Sequence, residues 1–318
     1  MNILFFGTGV IGSILAGKLS STGQNVTVLD KEPRLSEIRE YGILLQNGVT
    51  GEETSAQVNT VEVLGPNDYY DLVVVPVRAD HLPAVLPVLA ANLVIPNILI
   101  MVNNPMGSGQ IVESLGMERV LFGFPGMGGG KHGSAILYDI AKPLVQPSTF
   151  GELDGRLTPR LIEIVAMFKK AGFPVAIEKN MDAWQKTHVS WVSPLADAIY
   201  MAGGDNYQLA KRPDVIRMMI EAIREAFAVL KKMSVPITPT KFKFINWIPI
   251  PLQIMVWRKV LAGRDIEMLA TLHCQKAPQE MQQLAHELIA LARCTSIPTP
   301  SLNKLSEYMA NIKSGDGI

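Results

Sequence analysis

The segment Gly7-Thr8-Gly9-Val10-Ile11-Gly12 has the residue types and spacing that most directly specify chemistry. Three glycines so placed suit a phosphate-binding turn that links a strand to a helix. Gly7 permits the tight turn, Gly9 lets backbone approach a pyrophosphate, and Gly12 lets helix and strand pack closely. Thr8, Val10 and Ile11 complete the candidate dinucleotide-binding set, because the helix N-terminus offers unpaired N–H groups and a positive dipole end. Asp30 lies 18 residues beyond Gly12, about where an acid holds the ribose hydroxyls of NAD. Lys31, Arg34 and Arg78 offer the opposite recognition, pairing the 2′-phosphate of NADP. Lys31 and Arg34 also read as solvated loop charges, so the two cofactors stay open at this point.

The surrounding elements fit that turn. Asn2–Phe6, Asn25–Leu29, Leu72–Val77, Ile98–Val102 and Arg119–Phe124 are apolar runs of strand length. Val10–Ser21 and Leu82–Leu89 between them show helical spacing. Strands alternating with helices predict βαβ units and a parallel sheet buried on both faces. Ala135–Tyr138 and Leu144–Thr149 read as further strands at the far edge, and Gly128-Gly129-Gly130-Lys131-His132 as a turn between edge strands. Thr158–Ala171 predicts a helix and Pro174–Glu178 a last strand. From Asp182 on, nearly every segment reads as helix: 182–200, 213–233, 253–262, 279–294 and one from Ser301. The expected fold is therefore α/β: a Rossmann-type, doubly wound parallel-sheet domain over residues 1–178. An all-α domain for substrate and dimer contacts follows over 179–318.

Five marks in order resemble the ketopantoate reductase family. Asn103-Asn104-Pro105-Met106-Gly107 is similar to its Asn-Gly-x-Gly turn, and Phe150-Gly151-Glu152-Leu153-Asp154-Gly155 to its IGE-x-DG segment. Asp182-Ala183-Trp184-Gln185-Lys186 resembles the W-x-K that opens its helical domain. Arg264-Asp265-Ile266-Glu267 resembles its TEID segment, and Ser296-Ile297-Pro298-Thr299-Pro300 its C-terminal loop. The resemblance implies reduction of a 2-oxo acid by NADPH, with the ligand between the two domains. It makes Lys186 the general acid, Asn104 the amide at nicotinamide ribose and substrate, and Asp265 (or Glu267) the pocket acid. It also tilts the cofactor to NADP, because Lys31 and Arg78 stand where the family binds phosphate, with NAD as the alternative. The chemistry of Lys186 agrees: an ammonium beside a carbonyl stabilises the developing alkoxide and can deliver its proton.

The departures concern substrate. Four and eight residues after its lysine the family carries asparagines, and here those positions are Ser190 and Pro194. Ser190 still offers a hydrogen bond and stays in the substrate-binding set with Lys186 and Asp265. The apolar stretch Phe244–Trp257 suits packing or a dimer contact. A hydroxy-acid or opine-type dehydrogenase, and a non-catalytic dinucleotide sensor, are the alternative readings.

Composition narrows the field. Lysine plus arginine equals aspartate plus glutamate at 29 each, which speaks against nucleic acid or a membrane as the main partner. Hydrophobic residues at 48% and charged at 18% describe a packed globular chain. Cys274 and Cys294 are too few for a disulfide framework, and neither His273–Cys274 nor any other spacing suggests a metal. His188, two residues from Lys186, reads as a packing or solvent group. A small-molecule substrate, a cytoplasmic location and no targeting segment are the expectations; a homodimer is left open.

Overall fold

The structure is a computed structural model and describes residues 1–312. The chain forms two compact units: Met1–Val102 with Ser108–Met181, and Asn103–Gly107 with the residues from Asp182 on. Sequence patterning left the Asn103–Gly107 loop in the first domain. In the structure it groups with the second, since the Asn104 amide donates to Gln185 Oε1 at 3.3 Å.

The first unit opens with β1 (Asn2–Phe6), α1 (Val10–Ser20), β2 (Asn25–Leu29) and α2 (Arg34–Tyr41). Then come β3 (Ile43–Asn47), β4 (Glu53–Ala56), β5 (Asn59–Val61), β6 (Leu72–Val75), α3 (Leu82–Ala91) and β7 (Ile98–Ile100). It continues through α4 (Gly109–Leu115), β8 (Val120–Phe124), β9 (Met127–His132), β10 (Ala135–Ile140), β11 (Ser148–Glu152), α5 (Pro159–Lys170) and β12 (Val175–Ile177). Eight strands form one sheet in the order β12-β11-β8-β7-β6-β1-β2-β5. From β5 to β8 all neighbours are parallel. Ile3, Leu4, Phe5, Val73, Val74 and Leu99 are fully buried, as strands covered on both faces require. The strand order reverses at β1, with β2 on one side and β6 on the other. Ligands of open α/β sheets bind at such a reversal, and the turn after β1 is the Gly7–Gly12 segment.

Two expectations need correction. Residues 135–140 do not sit at the far edge; they pair with β3 and β9 in a second, four-stranded sheet of order β4-β3-β10-β9. Of the expected 144–149 run only Ser148 and Thr149 are strand; they open β11 (Ser148–Glu152), which lies towards that edge, antiparallel to β8. The triple glycine is strand, not turn, because the backbone of β10 comes so close: a Cβ on Gly129 would lie 2.1 Å from the Leu137 carbonyl oxygen.

The Phe150–Gly155 mark is structural. Glu152 is 4% exposed and forms a two-pronged pair with Arg160 (2.6 and 2.8 Å), while its Oε1 also accepts from the Thr158 hydroxyl. A Cβ on Gly151 would lie 2.2 Å from the Glu178 carbonyl oxygen. Close backbone approach and a buried ion pair, not chemistry on a ligand, account for these residues.

The second unit is helical: α6 (Met181–Met201), α7 (Asn206–Leu209), α8 (Pro213–Lys232), α9 (Ile250–Leu261), α10 (Arg264–Ile266), α11 (Leu272–Lys276), α12 (Pro278–Arg293) and α13 (Pro300–Ala310). A 3-10 segment, Thr240–Trp247, precedes α9, and a π-helical turn, Glu267–Thr271, follows α10. The inward stripe of α8, with Ile216, Met219, Ile220, Ile223 and Phe227, is the centre of its core.

Candidate functional site

In the first unit, Gly7 has φ +100, a left-handed conformation that favours glycine, and its amide donates to the Leu29 carbonyl at 2.8 Å. A Cβ on Gly12 would lie 2.1 Å from the Gly7 oxygen, so only glycine lets α1 start this close to the turn. A Cβ on Gly9 would meet nothing within 4 Å, which leaves its backbone open to an approaching group. No side chain caps α1 at Gly9, and its first amides are available to an anion. These features fit a dinucleotide pyrophosphate.

The ribose end is already wired. Asp30 Oδ2 accepts from the Thr8 amide at 2.8 Å and from the Thr8 hydroxyl, and Oδ1 accepts from the Lys31 amide at 2.8 Å. Asp30 thus braces the glycine turn while keeping lone pairs for a ribose. Lys31 is exposed. Arg34 pairs with Glu37 at 3.0 Å and reaches Ser13 Oγ at 3.3 Å, beside the turn. Arg78 forms a bidentate pair with Asp80 (3.1 and 2.9 Å) and meets His81 Nε2 at 2.7 Å. A phosphate there would have to compete with Asp80.

In the second unit, the Asn103–Gly107 loop lies over the first turns of α6. Lys186 is 8% exposed, and its ammonium pairs with Asp182, one turn earlier. A Cβ on Gly107 (φ +93) would lie 3.3 Å from Asp182 Oδ1 and 3.6 Å from Lys186 Nζ, so the loop backbone passes directly against that pair. Asn104 Nδ2 donates to the Gly107 carbonyl at 3.0 Å and holds the turn in place. Lys186 and Asn104 are therefore neighbours.

Further along, Lys186, Ser190, Ser193 and Asp197 follow at intervals of four, three and four residues, one face of a helix. Ser190 Oγ, Ser193 Oγ and both carboxylate oxygens of Asp197 are buried without a hydrogen-bond partner. Burial raises the Asp197 carboxyl well above the usual carboxylate range. Pro194 sits inside α6 and has no amide, so the Ser190 carbonyl lacks its donor four residues on. Ser193 and Asp197 went unnoticed in the sequence; their spacing from Lys186 was the signal.

His188 faces elsewhere. Its ring stacks on Trp184 (centroids 4.9 Å, planes 6° apart) and meets Trp191 edge-on at 5.7 Å. Burial, with the Lys241 charge adding, lowers its pKa to about 3. It is a neutral packing group.

Asp265, the acid expected in the pocket, is a surface residue. It is exposed on the three-residue α10, and the ion pair of Lys186 is with Asp182. Glu267 accepts from the Tyr207 hydroxyl at 2.8 Å. The buried carboxylate beside the loop is Glu280, 2% exposed in the first turn of α12. Its Oε1 accepts from Asn103 Nδ2 at 3.4 Å, and Oε2 lies 2.9 Å from His273 Nε2. Nothing in the sequence around Glu280 distinguishes it from an ordinary helix-start acid. The Cys274 thiol is pushed up to about 12 by burial, then by Asp197 and Glu280, which makes it inert. Among the described residues no group of His, Cys, Asp and Glu is arranged to hold a metal ion, and no helix is long and apolar enough to cross a membrane.

Residues 3–141 match the profile of the ketopantoate reductase PanE/ApbA family. No curated protein sequence matches the chain significantly. Among solved structures, 2-dehydropantoate 2-reductase from Geobacter metallireducens GS-15 superposes with a TM-score of 0.78 at 15% identity, covering 98% of this chain and 99% of that one. A PanE/ApbA family ketopantoate reductase from Ralstonia eutropha JMP134 gives 0.76 at 15% identity, covering 98% and 97%. D-mandelate dehydrogenase, solved with NADH and anilino(oxo)acetate, gives 0.76 at 14% identity, with the same coverage of 98% and 97%. At these identities the superpositions establish the fold, α/β with a parallel-stranded sheet and a helical C-terminal part. Residues 3–141 are therefore similar to the PanE/ApbA ketopantoate reductase family, and the chain as a whole has the fold of the solved ketopantoate reductases on which it superposes.

Proposed function

We propose that the protein reduces the carbonyl of a 2-oxo acid, 2-dehydropantoate or a less polar analogue, with NADPH as donor and Lys186 as general acid. The observation that carries this reading is the buried Lys186 ammonium against the Asn104–Gly107 turn, at the head of a helix face of unpaired polar atoms. A nicotinamide dinucleotide supplies the hydride when bound. Gly7, Gly9 and Gly12 take its pyrophosphate, Asp30 its ribose, and Lys31 with Arg34 its 2′-phosphate; Arg78 joins them only by leaving Asp80.

Lys186 delivers a proton to the carbonyl oxygen as negative charge develops there, and its positive charge lowers the energy of that alkoxide. Asp182 orients the ammonium. Asn104 presents its amide from the turn that crosses Lys186. Ser190 donates to the substrate, and the loss of both asparagines leaves fewer polar partners, which favours a less polar side chain than that of 2-dehydropantoate.

Purified protein assayed by nicotinamide absorbance against a panel of 2-oxo acids tests the proposal. Lys186→Ala is expected to lower kcat by about 10²- to 10⁴-fold while NADPH affinity stays within about twofold. Equal turnover by the variant would overturn the assignment of the acid. Absence of turnover on every 2-oxo acid would overturn the reaction class.

A further inference from the structure

Helix α9 is apolar on both sides. Ile250, Ile254 and Trp257 pack on the core of the second unit, and Leu261 is fully buried. Leu252, Met255, Val256 and Val260 form a second stripe that faces outward, exposed by 49%, 68%, 54% and 41%. The 3-10 segment before it adds Phe244 at 61% and Trp247 at 83%. This is one contiguous stretch of chain, unlike the scattered exposed apolar residues of an ordinary surface.

Charge identifies what covers it. The chain as a whole is balanced, yet residues 226–264 hold seven lysines and arginines and no aspartate or glutamate. Lys241, Lys243, Arg258, Lys259 and Arg264 are exposed on either side of the apolar stretch. Beside α9 runs a groove of about 550 Å³, lined by Lys211, Met255, Arg258 and Lys259 among others, with cations but no acid.

We propose that this face docks on an anionic phospholipid surface, as a peripheral contact with Trp247, Phe244 and the outer stripe of α9 in the headgroup region. An apolar helix face with aromatic residues and flanking cations is the composition of an interfacial helix. The cations attract phosphate headgroups: Lys259 carries its charge on a long exposed side chain, and Arg258 adds its charge from beside α7, where its Nε donates to the Ala210 carbonyl at 3.2 Å. A second copy of the chain fits less well, because a twofold contact through this patch brings the same cations together. Net charge speaks against a membrane only when averaged over all 318 residues.

The test uses the full chain and vesicles of phosphatidylcholine with and without phosphatidylserine. Sedimentation is expected to show binding to the anionic vesicles alone, weakened by salt. Trp247 emission should shift to the blue and be quenched by brominated lipid; Trp184 is 4% exposed and contributes little change. Met255→Glu should weaken binding by at least about tenfold, and Lys259→Ala by about fivefold. The brominated-lipid measurement needs only the unmodified protein, so a misfolded variant leaves the proposal testable. No binding to anionic vesicles overturns it. So does equal binding by Met255→Glu, or a dimer in light scattering that Met255→Glu dissociates. Binding to an acidic polypeptide in solution with no vesicle binding reassigns the face to a protein partner and overturns it as well.

Discussion

The glycine turn of the first unit and the Lys186 face of α6 handle polar groups in opposite ways. Around the turn, the protein pairs them itself: Asp30 accepts from Thr8 and Lys31, and Ser13 Oγ donates to the Thr8 carbonyl at 3.0 Å. Along α6, Ser190, Ser193 and Asp197 are buried with oxygens that have no protein partner. Buried polar groups are ordinarily satisfied, and each exception calls for a reason. A dinucleotide is the same molecule in every enzyme that binds it, so the side chains of such a cradle can be paired in advance, with the first amides of α1 left open for the pyrophosphate. Under the proposed function the open partners on α6 are substrate contacts that cost stability, and those positions are free to change with the ligand.

The largest expected effect tests how much the α6 half gives up. His188 is held neutral by burial, its pKa lowered from 6.5 to about 3. Between those values the unfolded chain binds a proton that the folded chain does not, so this histidine makes stability rise with pH across that window and costs nothing above 6.5. Full development of the shift corresponds to about 4 to 5 kcal/mol. Asp197 has the opposite sign: its raised pKa means the folded state keeps a proton that the unfolded state has lost, so stability falls as pH rises above 3.8. The two oppose each other between 3.8 and 6.5. Chemical denaturation of His188→Phe and the parent at several pH values should give curves that diverge as pH falls from 6.5, and Asp197→Asn should gain stability at neutral pH. Parallel curves for the parent and His188→Phe would show that this half carries no such cost.

A middle-sized effect separates functional from structural hydroxyls. Ser190→Ala removes an oxygen with no protein partner, so unfolding free energy should stay within about 0.5 kcal/mol. Catalysis should suffer instead, with kcat/KM lower by the equivalent of about 1–3 kcal/mol. Thr8→Val removes an oxygen that Asp30 already uses, and should cost about 1–3 kcal/mol of stability, read by denaturant titration. If Ser190→Ala destabilised the fold as much as Thr8→Val and left kinetics unchanged, the contrast between the halves would fail.

What was legible in the sequence follows the same division. The turn could be read because its residues are contiguous and each glycine has a separate steric reason. The helices of the second unit could be read from their 3.6-residue period; α6, α8 and α12 begin and end within two residues of expectation, and α13 begins within one. The small sheet could not, since β9 is built around Gly128-Gly129-Gly130, and Gly129 marks the nearness of β10, which only the fold reveals. The site on α6 was half legible. Lys186 and Asn104 stood in recognisable local patterns, and their meeting depends on Gly107. Glu280 lies far along the chain in an undistinguished helix start, while Asp265, chosen from its motif, is exposed. Ser193 and Asp197 share the Lys186 face by plain helical spacing, and burial is what sets them apart from any other serine or aspartate.

The smallest effect sharpens the cofactor side of the comparison. Asp30 suits ribose hydroxyls, and Arg78 is occupied by Asp80, so the proposed preference for the 2′-phosphate rests on Lys31 and Arg34. Lys31 is exposed, and its attraction to a phosphate is screened by solvent and salt, which limits it to about 1 kcal/mol. Lys31→Ala should therefore weaken NADPH binding about fivefold and leave NADH binding unchanged, measured by quenching of protein fluorescence at low ionic strength. The difference should shrink as salt rises, because the lysine has no buried partner to hold it. Equal loss for both cofactors would mean that Lys31 supports the turn rather than reading the phosphate. NADPH recognition would then fall to Arg34, whose guanidinium already reaches Ser13 at the start of α1.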